Sequence, residues 1–355
     1  MRKIRASIVS LIIFFTLLTT SFAEPLRLLV PPFEGPEPLS KHIRTTIYVE
    51  LIKAFQHSST TQKGAWILYG LDPMNQASHQ AAIDAASWPS VRADLTIWGQ
   101  VRDFPDGVVV QLYLTITPIL LDRSIRPEKW EIHFKNNHGT RETTLEMNLP
   151  GLYYEFEPFI LPNEVIYQFE YPQGIPLYSK RSGGEKIGRL EELMRFYEVY
   201  DDAILVQSGG LSGWLRSADF SKLDSEAMDF IKGAIRLMRG DWRGAENSFN
   251  KLLSNKKVTQ NLRIQTLIYI GIAREKSGKD GSKQFQQAYD LNKLDRTSAA
   301  YLLMSRVALL KRAQQLPSGD SFNESMRLLK KDYNKVKGLF PKNDAWLVKI
   351  ASLIQ

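Results

Sequence analysis

The chain's five histidines, His42, His57, His79, His133 and His138, all fall in its first half, and it contains no cysteine. Zinc hydrolysis calls for a His-Glu-x-x-His helix or closely paired histidines, and neither spacing occurs. Without cysteine there is no thiol nucleophile, no thiolate-held metal and no disulfide. Neither a Gly-x-Ser-x-Gly elbow nor a Gly-x-x-x-x-Gly-Lys phosphate loop is present. "SGGEKIG", from Ser182 to Gly188, has glycines at the wrong intervals and no helix after it, so it reads as a turn. Glu191-Glu192 and Asp201-Asp202 are adjacent, which turns one member of each pair away from the other on a strand. Two carboxylates drawn from distant positions could still make a glycosidase, a possibility that spacing leaves open. On these residues no catalytic group, cofactor or metal site is expected; the chain reads as one that binds rather than reacts.

The remaining candidates are aromatic. Tyr178, Tyr197, Tyr200 and Trp214 crowd into one short segment, and large amphipathic rings suit contact with a peptide or glycan. The competing reading is packing, which a tiny module with little core needs from its aromatics. On that reading Trp214 covers one end of the core and Gly213 gives the adjoining turn its backbone freedom. Trp98, alternating with Leu95 and Ile97, is expected in a core.

The segment that must position the four rings is 173–220. Its short β runs are separated by Ser182-Gly183-Gly184, Asp201-Asp202 and Gly209-Gly210, the punctuation of a small barrel. Pro176-Leu177-Tyr178, Gly188 before Leu190, Phe196 to Tyr200 and the closing "AILVQSGGLSGWLRSADF" carry the detail. The segment resembles a bacterial SH3 domain, a module that often targets peptidoglycan. The resemblance implies that the tyrosine–tryptophan groove could read a wall peptide.

Ahead of it, residues 24–172 alternate strand and helix. "LRLLVPPF" and "AWILYGLD" read as strands. Ser40 to Gln56 reads as an amphipathic helix N-capped by Ser40. Residues 73–87 read as a second helix with Pro73 in its first turn. "ADLTIWGQVRDFPDGVVVQLYLTITP" is a hairpin turning at Pro105-Asp106-Gly107, and "KWEIHFKN" and "TTLEMNLP" are two further strands. The order is that of an α/β sandwich. It resembles the amino-terminal domain of the TolB family and related outer-membrane assembly domains, which implies protein contacts and no catalysis.

Residues 221–355 lack strand alternation. Gly233, Gly240, Ala245 and Phe249 recur in part as Gly271, Gly278, Phe285 and Ala288, with the second copy's turn about two residues short. Close helix approach at the glycines, filled by a phenylalanine, is the physical need behind this spacing. The pattern resembles a tetratricopeptide repeat, followed by degenerate helices that form a third unit and a cap. Such arrays present a concave surface on which an extended peptide or partner helix can lie.

Arg2, Lys3 and Arg5, an apolar run from Ile8 to Leu18, and Ser21-Phe22-Ala23 read as a Sec-type signal peptide over residues 1–23. The run is short for a membrane span, and no later segment approaches one. With no cysteine to lipidate, the chain is expected to be periplasmic or envelope-associated without being a lipoprotein. Charge divides sharply: residues 24–220 hold 18 Lys and Arg against 25 Asp and Glu, whereas 221–355 hold 25 against 13. The basic residues are scattered along helices rather than interleaved with aromatics, so nucleic acid is not an expected partner. The densest run, Leu328 to Lys342, reads as a solvated helix face, with an acidic partner or anionic lipid as the functional alternative. The sequence thus leads to a multidomain α+β protein: an α/β sandwich, an SH3-like barrel and an all-α array. Its expected role is a non-enzymatic scaffold for other envelope proteins or peptides. Peptidoglycan binding is the alternative reading, and a wall-remodelling enzyme the weaker one.

Overall fold

The computed structural model describes residues 25–355, apart from 38, 57–64, 71–73, 75, 106, 119–128, 136–141, 149–152, 163–174, 191–194, 220–224, 256–257, 316–318 and 355. The leader, His57, Pro73, His138 and the Glu191-Glu192 pair lie outside the described residues. The fold is mixed α+β, and among the described residues no helix is long and apolar enough to cross a membrane.

Leu26–Val30 (β1), Ala65–Tyr69 (β2) and Leu95–Phe104 (β3) run parallel, with β1 between the other two. Gly107–Ile116 (β4) returns antiparallel to β3, and Tyr153–Glu155 (β7) and Phe159–Pro162 (β8) both pair with its far side. Alternation assigns the faces. Leu28, Leu95 and Ile97 lie under helix α1, Leu39–Phe55, which buries Ile43, Ile47 and Leu51. Leu29, Thr96 and Trp98 take the opposite face, toward helix α2, His79–Ser87. Trp98 is buried, but on the face opposite Leu95 and Ile97, where His79 of α2 and Tyr113 of β4 pack against it.

Two helix starts differ from expectation. Ser40 is not a cap: α1 begins at Leu39, the Ser40 amide donates to Pro36 O, and its hydroxyl donates to Gly35 O. Helix α2 begins at His79, where the Ser78 hydroxyl accepts the Ala81 amide and supplies a true N-cap.

Among the described residues, Lys129–Lys135 (β5) and Glu142–Asn148 (β6) pair only with each other. A two-stranded sheet is marginal by itself. This one turns Trp130, Ile132, Phe134 and Leu145 away from solvent and leaves Glu131, His133 and Glu146 exposed.

A separate five-stranded antiparallel sheet follows: Pro176–Tyr178 (β9), Lys186–Arg189 (β10), Arg195–Val199 (β11), Ala203–Ser208 (β12) and Leu211–Arg216 (β13), in the order β10-β9-β13-β12-β11. Its core is Leu177, Leu190, Val199, Ile204, Val206 and Leu215.

The rest is helical: α3 (Glu226–Met238), α4 (Trp242–Ser254), α5 (Gln260–Lys276), α6 (Ser282–Leu291), α7 (Arg296–Gln314), α8 (Gly319–Val336) and α9 (Ala345–Ile354), each packed on the next. A β-carbon on Gly233 would lie 2.5 Å from the Phe249 ring, and one on Gly271 would lie 2.5 Å from the Phe285 ring. These glycines are where α3 meets α4 and α5 meets α6. Gly233→Ala is therefore expected to destabilise the chain by about 1–3 kcal/mol through overpacking, even though alanine is the better helix former. Urea unfolding of the variant checks this, and unchanged stability would show that the ring has room to move.

The second turn is not short. Five residues, 277–281, separate α5 from α6, against three between α3 and α4. What is lost is the start of α6. Gly281 sits so close to the backbone of Gly271 that a β-carbon there would lie 2.4 Å from the Gly271 carbonyl.

Candidate functional site

The five-stranded sheet sorts its side chains by register. Val206 pairs with Gly213 and Ile204 with Leu215, and these face the core. Leu205 pairs with Trp214, and Trp214 pairs with Tyr178, so both rings stand on the outward face. Trp214 therefore does not cover an end of the core. Gly213 is not a turn residue either: it lies within β13, where a β-carbon would come 3.0 Å from Leu177 Cβ. The turn's freedom belongs to Gly209 and Gly210, with φ of +54° and +84°.

On this outward face the tyrosines join the tryptophan. The Tyr200 ring lies 6.1 Å from that of Trp214, and the Arg181 guanidinium sits 3.8 Å over Tyr200. Arg216 sits 3.6 Å over Tyr178, whose hydroxyl donates to Asp219 at 3.4 Å. The result is a half-buried belt in which guanidinium and aromatic planes alternate, an arrangement held by cation–π attraction. A bulge at Phe196–Glu198 sends Tyr197 to the edge of the belt. There it is 53% exposed and donates to Gln207 Oε1 at 2.8 Å. Thus Tyr178, Tyr200 and Trp214 form one surface, and Tyr197 flanks it through Gln207.

Charges within the belt are largely internal. Arg181 Nε donates to Asp202 at 2.8 Å and holds that carboxyl below its usual range. The Tyr200 hydroxyl donates to Glu198, which raises the phenol's pKa. Burial lifts the Asp219 carboxyl, opposed by the Tyr178 hydroxyl and by Arg216. Arg216 also donates to Gly184 O at 3.3 Å and pins the β9–β10 loop. The belt offers ring faces and hydrogen-bonding edges to a ligand, with no nucleophile beside a base.

The helical array presents less open surface than the repeat pattern predicts. Tyr154 on β7 packs against Phe230 of α3 at 5.3 Å, and its hydroxyl is hydrogen-bonded to that of Tyr269 of α5. Trp130 on β5 stacks on Phe285 of α6 at 5.3 Å and Tyr301 of α7 at 6.3 Å. The aromatic faces of α3, α5 and α7 are therefore covered by the chain's own strands, contrary to the expectation of an open concave groove there. Helix α1 adds contacts on both sides. Glu50 pairs with Lys232 of α3, and Lys53 donates to Ser217 just beyond β13.

Two further places were not legible in the sequence. Strand order 2-1-3 sets a switch point beside β1, where open α/β sheets usually bind ligands. Here a pocket of about 130 Å³ lies between Pro32, Glu37, Lys41 and Tyr69, and Arg44 fills its floor. Arg44 donates to Val30 O at 3.0 Å and to Gly70 O, with its guanidinium over the Tyr69 ring. The strand-end carbonyls are thus satisfied from within. On the other sheet face, His79 Nδ1 lies 2.8 Å from Thr115 Oγ1, a separation suited to a base and nucleophile. Thr115 is fully buried, however, and its oxygen accepts Trp98 Nε1–H at 3.0 Å. The pair orients an aromatic cluster of His79, Trp98, Tyr113 and Tyr153 drawn from four separate elements. Among the described residues no group of three or more His, Asp or Glu is placed to hold a metal.

The belt is thus the one surface where the sequence candidates converge, and outside comparison adds no name to it: the chain matches no family model, no curated protein and no solved structure.

Proposed function

We propose that the chain is an exported, non-catalytic adaptor of the bacterial cell envelope. In this reading an SH3-like barrel is the recognition module, and an α/β domain with a tetratricopeptide-like array forms its rigid support. The observation that carries the reading is the belt of Tyr178, Tyr200 and Trp214, turned outward on a sheet whose core is complete without them. An aromatic surface that stabilises no core is available for a partner. The partner is a protein segment or peptide of the envelope, lying across the rings with its polar groups reaching Gln207 and Glu198. The leader read over residues 1–23 supports the exported location.

Peptidoglycan is the second reading, favoured by the same belt because ring faces also accept sugars and stem peptides. One variant separates the two. Trp214→Ala is expected to keep its unfolding free energy within about 1 kcal/mol of wild type. It is also expected to lose a defined complex otherwise recovered by cross-linking in cells. If the wild-type chain instead sediments with purified peptidoglycan and the variant does not, the wall reading replaces the adaptor. Turnover of muropeptides by purified protein would overturn both.

A further inference from the structure

The last turn of the array brings an exposed leucine and a group of lysines to one end of the molecule. Leu294, in the loop between α6 and α7, is 81% exposed, the most exposed of the large hydrophobic residues described. Two residues on, Arg296 ion-pairs with Asp344 and lies 5.2 Å from the Phe340 ring, so this loop sits against the turn between α8 and α9. Lys335 of α8 reaches the ring of Tyr289, on the last turn of α6 before the same loop, at 4.7 Å. Lys293, Lys335, Lys337 and Lys342 are all exposed around this junction.

Two carboxylates there are engaged by the chain itself, while Asp290 on the last turn of α6 is exposed and accepts Gln286 Nε2 at 3.2 Å. Asp295 accepts the amides of Thr297 and Ser298 and caps α7. Asp344 accepts Arg296 and the amides of Trp346 and Leu347 at the start of α9. Among the described residues none of the four lysines is ion-paired. Elsewhere in the array, some basic side chains are matched across helices: Arg274 and Lys279 with Glu246, Arg312 with Glu275, and Arg306 with Asp332. Asp295 and Asp344 serve as helix caps, the four lysines face out, and a leucine stands bare between them.

We propose that this end of the array docks on an anionic lipid bilayer, with Leu294 entering the headgroup boundary and Lys293, Lys335, Lys337 and Lys342 facing lipid phosphates. An exposed apolar side chain ringed by cations is the chemistry of interfacial binding. An acidic protein surface would use the lysines but would have no need of the bare leucine. None of these residues belongs to the aromatic belt, so on the adaptor reading the chain would hold its partner while resting on a membrane.

The test uses the chain from Glu24 onward, without the leader; among the described residues every strand and helix lies between Leu26 and Ile354. Flotation with vesicles of 70% phosphatidylcholine and 30% phosphatidylglycerol should recover the protein at low salt, and pure phosphatidylcholine should not. At about fivefold per lysine, the variant K335E/K337E/K342E should bind roughly 100-fold more weakly or worse. Leu294→Ser should weaken binding about tenfold with its salt dependence unchanged. All substituted side chains are exposed or half-buried, and unchanged circular dichroism confirms that the variants fold. Equal binding to both vesicle types, or binding indifferent to the lysines, overturns the proposal. So does full competition by soluble polyglutamate with no effect of Leu294→Ser, which would mark an acidic protein as the partner.

Discussion

Replacing Trp130 or Phe285 with alanine is expected to cost about 3–5 kcal/mol each, and replacing both should cost clearly less than the sum. The two rings stack at 5.3 Å with planes 16° apart, and Phe285 also faces Tyr301 at 5.7 Å. Both are buried. Either deletion leaves a cavity that the helices cannot close, because Gly271 and Gly281 already bring the backbones of α5 and α6 together. The pair is also the seam between the β5–β6 hairpin and the array, so its loss has a local signature. Hydrogen exchange should show the amides of 129–135 and 142–148 losing protection in Trp130→Ala before those of β1 or β3, because among the described residues no other strand pairs with the hairpin. If the hairpin kept its protection, it would have to be held by something other than the array. Additive costs would mean that the two rings do not share one cavity.

The second large effect is a dependence on pH. His42 on α1 is 6% exposed, and burial lowers its pKa from 6.5 to about 4. A histidine depressed in this way is neutral when folded and takes up a proton on unfolding below its unfolded pKa. The stability it contributes is complete above about pH 6.5 and is lost as the pH falls toward 4. The span corresponds to about 3 kcal/mol. Carboxylates titrate in part of the same range, and His79, whose pKa burial also lowers, adds a slope of the same sign. The informative quantity is therefore the difference between wild type and His42→Leu. The extra loss between pH 6.5 and 4 should vanish in the variant, as followed by urea midpoints at half-unit steps. Parallel curves would mean that His42 is solvated in the folded protein.

Where sequence reading succeeded, it relied on local geometry. The alternation of Leu95, Ile97 and Val101 placed β3, and the i, i+4 spacing of Ile43, Ile47 and Leu51 placed α1. The glycine–phenylalanine pairs 233/249 and 271/285 were legible because close approach tolerates only those residue types. Helix starts were read less well. Ser40 and Pro73 looked like start signals, yet the chain used Ser78 for α2 and placed Ser40 inside α1. A cap depends on where the preceding loop brings the backbone, and residue type alone does not say.

Trp214 shows the same limit at the candidate site. Its size argued for the core, and alternation within β13 allowed either phase: Gly213 and Leu215 inward, or Ser212, Trp214 and Arg216. Only the register with β12 and the approach of Leu177 to Gly213 decided the phase, because a strand's two faces are equivalent until a neighbour is paired. Sequence by itself determined the longer strands and helices, though not β7 or β8, which residues are apolar enough to be covered, and that no familiar catalytic motif is spelled out. Tertiary structure alone decided that the aromatic belt faces outward, that Arg44 fills the switch point, and that β5 and β7 close over the aromatic faces of the array. The reason is that periodicity is written within a few residues. The pairing of Trp130 with Phe285, or of Tyr154 with Tyr269, joins positions more than a hundred residues apart, and only the folded chain brings them together.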